Sequence, residues 1–128
     1  VLIGRRHVRS KNTQTQNCPR LMRGPKLCVL FMHPGDLAER QLHDGQVVRV
    51  ASQVGAVNLP VKATDEIMRG VVSIPHGFDH GRAGARLRVA SQHAAVSVND
   101  LTDDRHIDTV TGMPAFNGVA VSVGCAED

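Results

Sequence analysis

Apolar residues in this chain come in short runs, the longest of them the six residues 27–32, with Gly, Pro and Asn-Asp steps breaking the sequence between them. Runs of this length, rich in Val and bounded by turn residues, read as short strands, since an amphipathic helix needs ten or more residues of 3.6-residue periodicity. Residues 1–3 open the series, and Gly4 offers a sharp turn after them. Residues 27–32 predict a buried strand, and His33-Pro34 starts a helix to about Gln41, with Pro at the first helical position and Asp36 and Glu39 near its positive end. Asp44-Gly45 turns the chain into a strand over residues 46–52. Gly55 reverses it, and residues 56–63 alternate as a half-buried strand, so 46–63 is a β-hairpin. Residues 65–68 predict a single helical turn ended by Gly70, residues 71–75 a further strand and residues 119–123 the last. The expectation is a mainly β domain, about six main strands closed into a barrel or sandwich, with two or three short helices.

Charge is as uneven as hydropathy. Residues 1–26 hold seven of the fifteen Lys and Arg and none of the twelve Asp and Glu, so the remaining residues set the other eight cations against all twelve carboxylates. A cationic head on an acidic body is self-repelling unless an anion sits among the charges, and Arg forks match phosphate and carboxylate oxygens. Arg5, Arg6 and Arg9 fall on a loop after the first strand. Residues 10–17 follow as hydroxyls, amides and one ammonium, able to exchange hydrogen bonds with a heteroaromatic, polyhydroxylated ligand. A solvated terminus without a ligand is the alternative.

Length bounds the rest: 128 residues form one domain, too small for a cofactor domain and a substrate domain together. Cys18, Cys28 and Cys125 make no C-x-x-C spacing, which favours a reducing, cytoplasmic compartment, with the periplasm the alternative for the full-length protein. No apolar run approaches the length of a membrane span. A start at Val1, inside a strand and without Met, points to a fragment of a longer polypeptide.

Other candidate chemistry is thin. His76 and His80 stand four apart, but Pro75 and Gly77 oppose a helix that would align them, and no spacing supplies further zinc ligands. Asp103, Asp104 and Asp108 near His106 read as helix-capping or solvent-facing carboxylates. Cys18 has no evident basic partner. Asn99 is more informative, because an Asn at a strand end can pair one donor and one acceptor with a nitrogen heterocycle. Two per cent aromatic residues leave almost no stacking platform for nucleic acid.

The order LIGRR-x-x-R, then HPGDLAERQLHDGQVVRVASQVGAVNLPVKATDEIMRGVVSIPHGFDH, then VNDLTDD, then TGMPAFNGVAV resembles the C-terminal domain of the large molybdopterin oxidoreductases. That group includes formate dehydrogenases, periplasmic nitrate reductases and dimethyl sulfoxide reductase. The resemblance runs from Leu2 to Val123. It implies a double-psi β-barrel that closes over a bis-(molybdopterin guanine dinucleotide) whose molybdenum (or tungsten) is held by another domain, as is any iron–sulfur cluster. Its partners are then the remaining domains of the same oxidoreductase, formate dehydrogenase-like in character, and the domain alone would catalyse nothing.

Carried over by position, Gly4, Arg5, Arg6, His7, Arg9, Ser10 and Asn12 match the family's first cofactor-binding loop, with Arg5 and Arg6 as phosphate or pterin contacts. Arg9 stands where many relatives have His. His76 and Gly77 match a second loop near the pterin, Asn99 an Asn that hydrogen-bonds it, and Asn117 a position where some relatives have Lys. Together these loops should form an open, positive half-site at one end of the barrel. The competing reading is a barrel that grips an acidic protein or other polyanion without a redox role.

Overall fold

The computed structural model describes residues 1–26, 28–93 and 95–126. Six strands form one sheet: β1 (Leu2–Arg5), β2 (Leu30–Met32), β3 (Val47–Ala51), β4 (Ala56–Ala63), β5 (Val72–Pro75) and β6 (Ser122–Cys125). One α-helix, α1 (Pro34–Glu39), and two 3₁₀ helices (Ala90–Gln92 and Val98–Leu101) complete the regular structure. The mainly β expectation, the six strands and the few short helices are all observed.

Spatial order is β1-β5-β2-β4-β3-β6. The β3–β4 hairpin pairs antiparallel from Val47↔Pro60 to Ala51↔Ala56, and its alternation puts Val48, Val50, Val57, Leu59 and Val61 inside. β1 and β5 run parallel, as do β2 and β4, while β2 and β5 are antiparallel. The sheet's two edges are joined through its last segment. Leu2 N donates to Val119 O at 2.8 Å and Gly118 N to Leu2 O at 3.0 Å, and three residues later β6 pairs with β3. Leu2, Leu30, Met32, Ile74, Val98 and Leu101 fill the space so enclosed.

Several local expectations are corrected. The last strand lies at Ser122–Cys125, not residues 119–123, because Val119 pairs with β1 before the chain crosses to β3. β1 runs through Gly4 to Arg5, since its parallel partner continues to Pro75 and carries the pairing past the glycine. Residues 65–68 form a turn rather than a helical turn, with Thr64 Oγ1 accepting from Glu66 N at 3.2 Å in place of the first helical bond. α1 stops at Glu39, and Gln41 turns away with φ 56°. Its start is as expected, with Pro34 in the first turn and His33 Nδ1 accepting from Gly35 N at 3.0 Å. Of the strand expected at 27–32, Leu27 lies outside the described residues.

Strand directions define one end of the sheet. β1 and β5 finish together at Arg5 and Pro75, and the antiparallel step to β2 and β4 brings the start of β4, with the Gly55 reversal, to the same end. The 3₁₀ helix Val98–Leu101 sits there too, with the Asp100 carbonyl so close to Gly55 that a side chain at 55 would collide with it. Arg82 pairs with both Asp79, after β5, and Asp100, fastening this helix to the β5 loop.

Candidate functional site

At the end of β1 the two arginines of the Gly-Arg-Arg step part company. Arg5 turns inward: Nη1 donates to Ser73 O at 2.5 Å, Nη2 to Val29 O at 2.7 Å, and the guanidinium lies 3.7 Å above the Phe31 ring centroid. Burial lowers its pKa to about 10, so it stays charged at neutral pH. Arg6 turns outward, and its Nε donates to Asn12 Oδ1 at 3.0 Å, leaving four N–H donors free of protein partners among the described residues.

The loop after β1 is held by its own hydrogen bonds. The His7 carbonyl accepts from Ser10 N and Ser10 Oγ, both at 3.1 Å, and from Lys11 N at 3.3 Å. His7 Nδ1 accepts from Arg9 N at 3.1 Å, which fits a neutral imidazole, and burial followed by the charges of Arg9 and Arg5 lowers its pKa. Lys11 and Asn12 take left-handed conformations, φ 37° and 59°, the second of which Asn's short amide side chain tolerates. Thr15 Oγ1 donates to Arg9 O at 2.6 Å. Gln16 is fully buried: its Nε2 donates to Asn12 O at 3.2 Å while its Oε1 has no donor.

The second loop closes on the first. His76 N donates to Arg5 O at 2.9 Å, and Gly77, at φ 90°, touches the Asn12 backbone so closely that any Cβ would overlap the Asn12 carbonyl. The His76 imidazole covers Gly4, where a Cβ would meet its Nε2, and stands edge-on to Phe116 with ring centroids 6.0 Å apart. Burial, then the charge of Arg6, lowers the His76 pKa, so the ring is neutral at pH 7. From the far end of the chain Asn117 Oδ1 accepts from Gly4 N at 2.7 Å. Thus Gly4, Arg5, Arg6, Asn12, His76, Gly77 and Asn117 meet in one place, with His7 and Ser10 behind them in the loop.

Asn99 lies at the same end but apart from this cluster. It is exposed on its 3₁₀ helix, its backbone bonded to Ser97 and Thr102, and its side-chain amide has no protein partner among the described residues. Arg9 points away from Arg6, its Nη1 donating to Arg23 O. The cluster forms an open surface: the concavities of about 340 and 350 Å³ include neither Arg6 nor His76, though the second adjoins Asn117.

Two contributors were not singled out in the sequence. Phe116 is next to Asn117 in Pro-Ala-Phe-Asn-Gly, and its aromatic character in so aromatic-poor a chain is the signal that would have found it. Gln16 carries no such signal, because only burial distinguishes it from Gln14. Asp103 and Asp108 serve turns: Arg105 holds the Asp103 carboxyl down to about 2, and Asp108 Oδ1 accepts from Val110 N and Thr111 N. Among the described residues no three His, Cys, Asp or Glu side chains converge on a metal position, and no helix is long and apolar enough to cross a membrane.

Comparison with known proteins places the chain in a family. Residues 1–120 match the family described as "Molydopterin dinucleotide binding domain". A 56-residue stretch, 44% of the chain, is 43% identical to the dimethyl sulfoxide/trimethylamine N-oxide reductase of Rhodobacter capsulatus and covers 7% of that protein. The fold is similar to part of the acetylene hydratase from Pelobacter acetylenicus, with a TM-score of 0.79 at 18% identity over 98% of this chain and 18% of that one. The chain therefore spans under a fifth of the length of either protein.

Proposed function

The chain belongs to the molybdopterin dinucleotide binding domain family, and on that footing we propose that it is the C-terminal, cofactor-binding domain of a molybdenum or tungsten oxidoreductase. The observation that carries the reading is the meeting of β1, the β5 loop and Asn117 around Arg6 and His76, with no carboxylate in the first 26 residues. The residues present fit a molybdopterin guanine dinucleotide. Arg6 and Lys11 offer N–H donors for phosphate oxygens, the Asn99 amide offers a donor and an acceptor for a pterin edge, and the buried Gln16 Oε1 lacks a donor. When bound, the group supplies two-electron redox chemistry.

The chain's own part is binding, orientation and electrostatics. Arg6 would neutralise phosphate charge at the loop. His76, neutral at pH 7, would present one donor and one acceptor nitrogen, held in place by Phe116 and by the close approach over Gly4. Arg5, with two donors committed to Ser73 and Val29, would fix the end of β1 from which the loop departs. The metal ligand and any iron–sulfur cluster would come from other domains, which are also the domain's partners. The motif order supports a formate dehydrogenase-like member and a double-psi barrel. The test is to purify the full-length protein and measure metal and pterin per polypeptide. Stoichiometric molybdenum or tungsten with a pterin released on oxidation is expected. A folded protein containing neither would refute the reading.

A further inference from the structure

Beside the Arg6–His76 face the chain presents to solvent a stretch whose composition does not suit water. Residues 109–126 contain no Asp, Glu, Lys, Arg or His, in a chain of which 21% is Asp, Glu, Lys or Arg. Yet every residue from 104 to 118 except Pro114 is exposed, Val110 to 91% and Met113 to 63%, with Ile107 and Phe116 alongside. Surface segments are normally rich in charge, whereas loss of charge together with Met and aromatic side chains marks the core of a protein–protein interface.

This segment is an ordered hairpin. Ile107 bridges to Pro114, Asp108 N donates to Met113 O at 2.8 Å and Ala115 N to His106 O at 2.9 Å. Asp108 Oδ1 accepts from Thr111 N at 2.7 Å, Thr111 Oγ1 at 2.8 Å and Val110 N at 3.1 Å, which fixes the tip that carries Val110. At its base the Phe116 ring stands against His76 and Asn117 accepts from Gly4 N. A tip ordered in advance loses little further freedom on association.

We infer that residues 105–116 are a docking hairpin for the region of the same polypeptide that precedes Val1, an inference that rests on the C-terminal-domain reading above. Two observations single out this occupant. The chain spans under a fifth of the length of the proteins it resembles, so in that reading most of the polypeptide lies ahead of it. Through Phe116 and Asn117 the hairpin is also continuous with the open Arg6–His76 face, which another domain has to complete. The matching surface is apolar and uncharged, because an ionised group set against Val110 and Met113 would lose water without gaining a partner.

The experiment uses the full-length protein, as wild type and as V110D, with metal and pterin measured on the same samples. Hydrogen peroxide oxidation of each methionine is followed by peptide mass spectrometry, and its rate is divided by that of the same residue in denatured protein. Met22 and Met32 are buried within the domain and report its integrity, while Met68, 76% exposed, reports a surface away from the hairpin. In wild type Met113 should be slowed about fivefold or more, beyond what its exposure in this domain allows. V110D, which sets a carboxylate into the interface, should abolish that slowing and leave Met22, Met32 and Met68 unchanged. Weaker slowing of Met113 in folded wild type overturns the proposal, as does slowing that V110D leaves intact. Slowing lost on dilution to monomer overturns it in favour of a second copy of the chain. Met113 protected in a protein without metal or pterin supports the docking surface while the cofactor reading fails; full metal with Met113 unprotected does the reverse.

Discussion

The main-chain N–H of Gly4 donates to Asn117 Oδ1 at 2.7 Å, so residues 113 positions apart meet where β1 enters the site. Beside them Leu2 exchanges backbone hydrogen bonds with Gly118 and Val119. The side-chain bond thus sits at the seam that joins the sheet's edges, one residue from the Arg5–Arg6 step. Asn117→Ala should lower stability by about 1 kcal/mol, the typical net worth of one hydrogen bond, while the backbone pairing of Gly118 and Val119 with Leu2 persists. Chemical denaturation of the 128-residue chain, comparing Asn117→Ala with wild type, checks this; no change in midpoint would show that the seam rests on the backbone pairs alone.

Arg5 and Arg6 should separate cleanly by stability. Arg5→Ala removes two hydrogen bonds from a charged donor and exposes the Phe31 face, leaving the Ser73 and Val29 carbonyls short of a partner. A cost of about 2–4 kcal/mol is expected. Arg5→Lys should recover little of it, since one ammonium cannot reproduce the planar fork that bridges two strands over an aromatic ring. Arg6→Ala, on an exposed side chain, should change stability by less than about 0.5 kcal/mol. Equal destabilisation by Arg5→Ala and Arg6→Ala would contradict these roles.

Gly77 is the position least able to carry a side chain. At φ 90° a Cβ is already strained, and here it would also overlap the Asn12 carbonyl. Gly77→Ala should therefore cost at least about 2 kcal/mol and separate the two loops. Hydrogen exchange at residues 7–16 should accelerate in the variant; unchanged protection there would mean that the loops are held independently.

Acidification should loosen this end of the sheet. The folded-state pKa of His76 and of His7 lies below 6.5, so between the folded value and 6.5 the unfolded chain binds more protons. Their contribution is fully present above pH 6.5 and is lost as pH falls through the folded values. Denaturation midpoints taken from about pH 7.5 to about pH 5, above the carboxylate range, should fall with pH in the wild type. In the His7→Gln/His76→Gln variant the slope should be shallower. A midpoint that rises on acidification would contradict the sign.

Much of this was legible in the chain because the informative features are local. The β3–β4 hairpin is written as alternating apolar residues around Gly55, and residues 56–63 form β4 as expected. The cation-rich head and the motif order pointed to the residues that cluster at Gly4, Arg6, His76 and Asn117. What escaped reading depends on partners distant in sequence. Arg5 and Arg6 are identical in type, and only the strand pairing of β1 with β5 turns the first toward Ser73 and the second to solvent. The displaced last strand has the same origin, because its residues serve two different neighbours in succession. The close approaches at Gly4 and Gly77 are set by tertiary contact with His76 and Asn12, and no pattern in the sequence announces them.

The most direct test of the central claim, that the Arg6 end of this domain holds a molybdopterin dinucleotide, is metal content. Molybdenum and tungsten per polypeptide should be measured by plasma mass spectrometry in the full-length protein carrying Arg6→Ala and Lys11→Ala together, both exposed. Both side chains are surface cations whose removal should leave the fold intact, and each lost charge-assisted contact to phosphate is worth about 1.5–3 kcal/mol. The account predicts a folded protein depleted in metal, with activity falling in proportion. Full metal loading in the folded double variant would contradict it.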